Sequence, residues 1–301
     1  MPLTHSFSIG AFRCHTLEAG LQRLDGGAMF GVVPRTLWTR RAEPDDRNRI
    51  PLAMRCLLVE HPDGLVLIDT GLGNKEERKF LDIYGVENAG SPGPTQLEDA
   101  LRELGHRPRD IRWVINTHLH FDHAGGNTTE EAVPGAGRDL KPTFPNATYV
   151  VQRGELEFAR HTNERTRASY LPPNFEPVDR AHQWNLLEGA GEILPGISAR
   201  LTPGHVPWHQ SIMLTSGGET GVFLGDLIPT TAHMPLPWIM GYDLEPLRTL
   251  ESRRALLQEA VSGGWQLIFE HDPRVAMGRL VKGEAGADLA DEVLAPKPGR
   301  A

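Results

Sequence analysis

The sequence predicts an α/β fold, and three observations carry that reading. Short β-rich runs recur, and several end directly in a loop bearing aspartate, histidine or glycine. Two other stretches, Thr95–Leu104 and Pro246–Val261, repeat apolar residues at helical spacing. Repeated delivery of polar side chains to strand ends fits an α/β enzyme and not a helical bundle.

In chain order, Ser6–Thr16 alternates enough for an edge strand, and Leu21–Phe30 is an apolar bend with several glycines. Residues 33–49 carry prolines and many charges and are expected as a surface loop excursion. Arg55–Glu60 and Leu65–Ile68 form a hairpin about Asp63-Gly64, and the second run breaks at Asp69-Thr70-Gly71, just beyond a strand. Leu97, Leu101 and Leu104 share one helix face that Gly105 can end. Ile111–Ile115 is a strand leading into Thr117–Gly126, followed by a glycine- and proline-rich excursion. Thr148–Gln152 is β-like, Glu155–Arg167 helical, and Pro172-Pro173 punctuates a loop. Ser198–Leu201 ends at Thr202-Pro203-Gly204-His205, and Ile212–Thr215 pairs with Val222–Leu224 about Gly217-Gly218. Leu247, Leu250, Arg254, Leu257 and Val261 mark the face of the last long helix. Leu267–Phe269 then returns as a strand toward His271, and a short helix with a frayed end is expected after about Gly283.

Thirty-one basic against 39 acidic side chains leave a formal net charge of −8. No global positive field favours a phosphate backbone, so a nucleic-acid partner is not expected. No apolar run approaches the roughly 20 residues of a spanning helix, and MPLTHSFSIGAF lacks the pattern of a secretory signal. A cytoplasmic protein without a membrane partner is the expectation. Cys14 and Cys56 are too few for a disulfide framework or a four-cysteine zinc site, and are expected as buried thiols.

The densest chemical signal is His118-Leu119-His120-Phe121-Asp122-His123. At a strand end, His118 and His120 can turn to one side, and the next turn can bring Asp122 and His123 beside them. Imidazoles with a carboxylate suit zinc and other borderline divalent ions better than an all-oxygen calcium cage. Gly125 and Gly126 remove bulk where the backbone bends beside that centre. His205, Asp226 and His271 follow later strands. Singly, the histidines also fit hydrogen-bonded roles and Asp226 a turn cap, but their order after the dense motif favours ligands. A noncatalytic metal-binding protein is the different-class alternative, recognised by stoichiometric metal without turnover.

These residues together resemble the metallo-β-lactamase superfamily, in its two-metal hydrolase branch, from the strand pair near Arg55 to His271. The resemblance implies an αβ/βα four-layer sandwich with two mixed central sheets, as a single domain over 1–301. By the same resemblance, His118, His120 and His205 bind one divalent ion, Asp122, His123 and His271 a second, and Asp226 bridges them. Zinc is the expected metal, with manganese, cobalt or iron suited to the same ligands. The implied catalytic residues are Asp122, which orients the attacking water, and Asp226. Asp69 is expected to hold a ligand histidine by its distal nitrogen, or else to cap a turn. His209 is implied as a supporting histidine, and Thr70 as a hydroxyl bonded to the site or to local backbone.

The segment Leu24–Pro34, continued by Leu37-Trp38, resembles quorum-quenching lactonases of the YtnP type, a group that also resembles methyl-parathion hydrolase. What this implies is opening of N-acyl-homoserine lactones by attack of a metal-bridging hydroxide on the lactone carbonyl. Arylester or organophosphate triester hydrolysis is the alternative, and thioester hydrolysis a further one. An acyl tail needs an apolar wall, for which Met29, Phe30, Trp38, Met234, Trp238 and Ile239 are candidates, each equally able to pack in the core. Small lactonases of this superfamily carry a tyrosine shortly after the bridging aspartate, whereas Asp226-Leu227-Ile228-Pro229 has none; His233 is the candidate polar contact instead. His120 and Asp226 stand where flavodiiron centres carry glutamate and two-zinc β-lactamases cysteine, which favours hydrolysis of the lactonase kind. A homodimer is implied as well.

Overall fold

The computed structural model describes residues 2–133, 137–283 and 286–295. In chain order the first strands are β1 (Thr4–Ile9), β2 (Phe12–Asp25), β3 (Arg49–His61), β4 (Gly64–Ile68), β5 (Ile111–Ile115), β6 (Thr128–Val133), β7 (Gly137–Pro142) and β8 (Thr148–Gln152). They are followed by β9 (Trp184–Leu187), β10 (Gly191–Leu194), β11 (Ile197–Leu201), β12 (Gln210–Ser216), β13 (Glu219–Phe223), β14 (Gln266–Ile268), β15 (Val275–Gly283) and β16 (Gly286–Leu294). The α-helices are α1 (Gly26–Phe30), α2 (Arg35–Trp38), α3 (Arg78–Ile83), α4 (Gln96–Glu103), α5 (Phe121–Ala124), α6 (Arg153–Arg160), α7 (Glu176–Arg180) and α8 (Pro246–Gly263).

One seven-stranded sheet has the order β1-β2-β3-β4-β5-β8-β9, the other β10-β11-β12-β13-β14-β15-β16, and β6 and β7 form a separate hairpin. Both large sheets are mixed, with β4, β5, β8 and β9 parallel in the first and β13 and β14 parallel in the second. Parallel strands deliver their following loops to the same sheet edge, and there the polar residues gather.

Packing explains the four layers. Leu57 and Val59 of β3 face Ile212, Leu214 and Phe223 of the second sheet in one buried cluster. Their neighbours Cys56 and Leu58 face the other way, against Leu97, Ala100 and Leu101 of α4. Burial on both faces is why Cys56–Val59 of β3 is continuously apolar. The second sheet covers its outer face with Leu256, Leu257 and Ala260 of α8. The two-residue period also separates the cysteines. Cys14 lies between the sheets and Cys56 under α4, both are free and buried, and burial pushes the Cys14 thiol up to about 12.

Several elements differ from the sequence reading, each for a local reason. The first edge strand is two strands, β1 and β2, and β2 runs on through the expected bend to Asp25, whose carboxylate caps α1 at the Ala28 amide. The expected surface excursion contains α2, whose Trp38 is buried. Helix α6 stops at Arg160 because Asn163 starts a turn, its side-chain oxygen accepting from the Arg165 and Thr166 amides. The tail expected as a helix is β16, which pairs with the otherwise open edge of β15. In α8 the buried positions are Thr249, Arg253, Leu256, Leu257 and Ala260, while Leu247 is 76% exposed. The face is rotated around buried Arg253, which donates to the carbonyls of Leu227, His233 and Trp238.

Candidate metal centre

Five strand ends converge on one point. Asp69 follows β4, His118 to His123 follow β5 and include α5, His205 follows β11, Asp226 follows β13 and His271 follows β14. Gly125 and Gly126 permit the tight approach of α5, since a Cβ on either would lie 2.1 Å from the carbonyl oxygen of Leu72 or Thr70.

The imidazoles form two groups. His118, His120, His205 and Asp226 hold potential ligand atoms within 4.8 Å of one another, and so do Asp122, His123 and His271. Within the first, His205 Nε2 is 3.1 Å from His120 Nδ1; within the second, His271 Nε2 is 3.1 Å from His123 Nε2. Asp226 divides its carboxylate between them, with Oδ2 2.9 Å from His205 Nε2 and Oδ1 3.0 Å from His271 Nε2.

The outer ring nitrogens fix the tautomers. Asp69 accepts from the Thr117 amide at 2.8 Å and hydroxyl at 2.6 Å, so the hydroxyl oxygen accepts from His118 Nδ1, 3.1 Å away. His123 Nδ1 lies 3.1 Å from Asp69 Oδ2 and 3.0 Å from Glu270 Oε2. His205 Nδ1 donates to Asp243 at 2.9 Å and His271 Nδ1 to the Ala53 carbonyl at 2.7 Å. In each case Nε2 is left facing the centre. Asp69 itself has φ +53°, a backbone position costing on the order of 1 kcal/mol that its bonds to Thr117 maintain.

Burial, reinforced by neighbouring imidazoles, holds His118 and His120 well below the ordinary histidine range, so both are neutral donors. For His205 and His271 burial opposes protonation, but Asp226 together with Asp243 at His205 and Glu270 at His271 outweighs it, carrying them to about 10 and about 9. Asp226, despite burial, is kept well below the carboxylate range by His205, His271 and His123. A potential that retains protons there also attracts divalent cations, whose binding displaces those protons. His118 Nε2 is buried without a hydrogen-bond partner. Buried imidazoles and carboxylates with such a free atom among them fit a pair of borderline divalent ions, zinc foremost.

Residues 51–265 match the family model described as the metallo-beta-lactamase superfamily. The chain belongs to the metallo-β-lactamase superfamily. It falls in the branch that contains the N-acyl homoserine lactonases. One such lactonase, from Bacillus cereus, is 32% identical over 253 residues, 82% of this chain and 89% of that protein. The lactonase AttM of Agrobacterium fabrum (strain C58) is 28% identical over 230 residues, 72% of this chain and 80% of its own length. A probable metal-dependent hydrolase from Staphylococcus aureus superposes with a TM-score of 0.86 at 30% identity, covering 96% of this chain and 98% of that one. AidC, a dizinc quorum-quenching lactonase solved with a product, shares the fold at TM-score 0.74 and 19% identity, with 100% of both chains covered.

In this member of the superfamily a cavity of about 410 Å³ opens onto the centre, with His120, Asp122, His205, Asp226 and His271 in its wall. The remaining wall is apolar at Leu24, Met29, Leu52, Phe121, Met240 and Leu244, and polar at Tyr84, Arg165, Ser169 and Tyr242. Of the expected pocket residues, Met29 lies there. Phe30 and Trp38 are instead stacked in the core, 5.3 Å apart, with Trp238 edge-on to Phe30 at 5.8 Å. Met234 packs against the α8 core, and the Ile239 carbonyl closes on Gly31, where a Cβ would lie 2.6 Å away.

His233 is not a substrate contact either. It is fully buried, its ring 4.5 Å from Phe30, and burial brings it down to about 3. Neutral, it donates from Nε2 to the Met29 carbonyl at 2.9 Å and accepts at Nδ1 from Thr230. Of the expected supporting residues, Asp69 lies 3.1 Å from His123 Nδ1. The Thr70 hydroxyl lies 3.0 Å from both the His123 carbonyl and Asn127 Oδ1. His209 holds the Asp226 loop, accepting the Asp226 amide at 3.1 Å while its Nδ1 meets Thr202.

Sequence reasoning missed Glu270, Asp243, Gln22 and Thr117. Glu270 sits beside a ligand candidate in sequence, a signal that was available. Asp243 lies 38 residues from His205, and Gln22, which donates to Asp122, reaches the centre from β2; neither carries a local signature.

Proposed function

We propose that the protein opens N-acyl-homoserine lactones by metal-dependent hydrolysis. The observation that carries this reading is Asp226, whose Oδ2 lies 2.9 Å from His205 of one imidazole group and whose Oδ1 lies 3.0 Å from His271 of the other, beneath a mostly apolar cavity. The metal ligands are His118, His120 and His205 on one side, Asp122, His123 and His271 on the other, with Asp226 between. Bound there, two divalent ions supply a Lewis acid for the carbonyl and lower the pKa of the attacking water.

The protein's own residues do the rest. Gln22 holds one oxygen of Asp122, leaving the other to accept a proton from the attacking water. As the water oxygen adds to the carbonyl carbon and the ring C–O bond breaks, Asp122 passes that proton to the departing alkoxide, and N-acyl-homoserine results. The acyl tail lies along Leu24, Met29, Leu52, Met240 and Leu244, where each buried methylene contributes roughly 0.8 kcal/mol. Tyr84 and Tyr242 supply phenols to the same wall and are suited to bond the amide or the ring carbonyl.

A metal-replete comparison of short- and long-chain acyl-homoserine lactones, aryl esters, phosphotriesters and thioesters tests the proposal, with products identified by mass. Ring opening of the lactones is expected to dominate and to rise with tail length until the cavity is filled. Turnover of another class without lactone opening overturns it.

The same proposal includes a cytoplasmic homodimer. The support for the dimer is the apolar surface at the start of the N-terminal excursion, where Val32 just before it is 93% and Leu37 within it 43% exposed; among the described residues no helix is long and apolar enough to cross a membrane. Sedimentation should show a dimer that Val32→Asp weakens, and a concentration-independent monomer removes this part.

A further inference from the structure

Among the described site histidines, His120 is differently held. His118, His123, His205 and His271 each engage an outer ring nitrogen with a hydroxyl, carboxylate or carbonyl. The ring bond of His120 runs inward instead, to His205. Its orientation must come from elsewhere.

Three contacts supply it. The Leu119 amide donates to Glu155 Oε1 at 3.0 Å, and the Phe121 amide donates to the Ser169 carbonyl at 2.9 Å, so the backbone is pinned on both sides of His120. The ring of Tyr170 meets the His120 ring edge-on at 4.7 Å. Tyr170 is itself fixed by donating its hydroxyl to the same Glu155 Oε1 at 2.8 Å. Glu155 is fully buried, pairs with no described cation, and leaves Oε2 without a partner. It stands in an apolar cluster with Leu119, Leu156 and Phe175 as neighbours of Tyr170. An unpaired carboxyl in such surroundings is costly for folding and needs a compensating role.

We infer that Glu155 is a positioning residue for the His118/His120/His205 half of the centre, setting His120 through the Leu119 amide and the Tyr170 ring. This rests on the metal centre proposed above. It performs for His120 what a hydrogen-bonded outer nitrogen performs for the other four histidines.

Zinc titration of the metal-stripped full chain against a chromophoric chelator tests it. In Glu155→Leu one of the two ions should bind roughly 10–100-fold more weakly, the range for groups that orient ligands, while the other keeps its affinity. Glu155→Gln retains an acceptor for the Leu119 amide and Tyr170 and should restore the weakened ion. The loss in Glu155→Leu should not add to that of His120→Ala in the double variant, since both act on one ligand. Tyr170→Leu, with Glu155 intact, should weaken the same ion by a smaller factor and decides the question if Glu155→Leu does not fold. Wild-type affinities in these variants, or equal weakening of both ions, overturn the inference while leaving the centre standing. Fewer than two ions in the unaltered protein overturn the centre itself.

Discussion

The metal centre and the cavity wall above it are built on opposite plans. In the centre the aspartates and histidines arrive at strand ends of the sandwich or in α5 just after one, and all but His120 are held by a named hydrogen bond, with Thr117, Asp69, Asp243, Gln22, His209 or the Ala53 carbonyl. The wall is assembled from β2, α1, β3, the residue after α3 and the 165–169 and 240–244 loops, mostly through apolar contact. Chemistry that tolerates small displacements poorly is placed on the rigid part, and the surface that selects a substrate on the adaptable part.

That contrast predicts a hierarchy of effects. Asp226→Asn strikes the centre hardest: loss of the anionic bridge should cut turnover about a thousandfold, the effect of about 4 kcal/mol. Circular dichroism should show the fold retained, and unchanged turnover with two ions bound would break the contrast at its strongest point.

Next comes Trp38→Ala, which the structure moves from the wall to the core. It should cost about 3–5 kcal/mol of stability in denaturant unfolding, while the preference for acyl-chain length stays as in the wild type. A changed chain-length profile with unaltered stability would return Trp38 to the wall.

Asp69→Asn weakens an outer bond of His123 directly and, through the Thr117 hydroxyl, that of His118, so it should lower affinity for both ions by roughly tenfold or more, read by zinc titration. Unchanged affinity at both ions would mean that Asp69 does not orient the histidines. The smallest expected effect belongs to the wall. Met240→Ala removes packing for the tail and should reduce the gain per added methylene, a change of at most about fourfold in kcat/KM per carbon, with zinc content unaffected.

The centre was readable because four of its seven ligand candidates lie within six residues of one motif, and because turns such as Thr202-Pro203-Gly204 announce His205. Element positions were readable where short β-rich runs are largely buried, as in β5 and β8, whose bounds match the structure. The wall was not. Trp38 and Phe30 look in sequence like Met29, and only tertiary packing decides which apolar side chain meets the cavity. Arg253 and Glu155 were invisible for a related reason: a charged residue on a helix reads as solvent-facing, yet both are fully buried against backbone groups. His233 failed as a substrate contact because its partner, the Met29 carbonyl, lies 204 positions away.

The central claim is that two ions, coupled through Asp226, open the lactone. The most direct measurement is lactone opening by chelator-stripped protein as zinc is added back stepwise, with Asp226→Asn alongside. The account predicts that full activity returns only as the second equivalent binds, yielding a product heavier by one water, and that the variant remains inactive at any zinc level. Full activity at one equivalent, or wild-type activity in the variant, would contradict it.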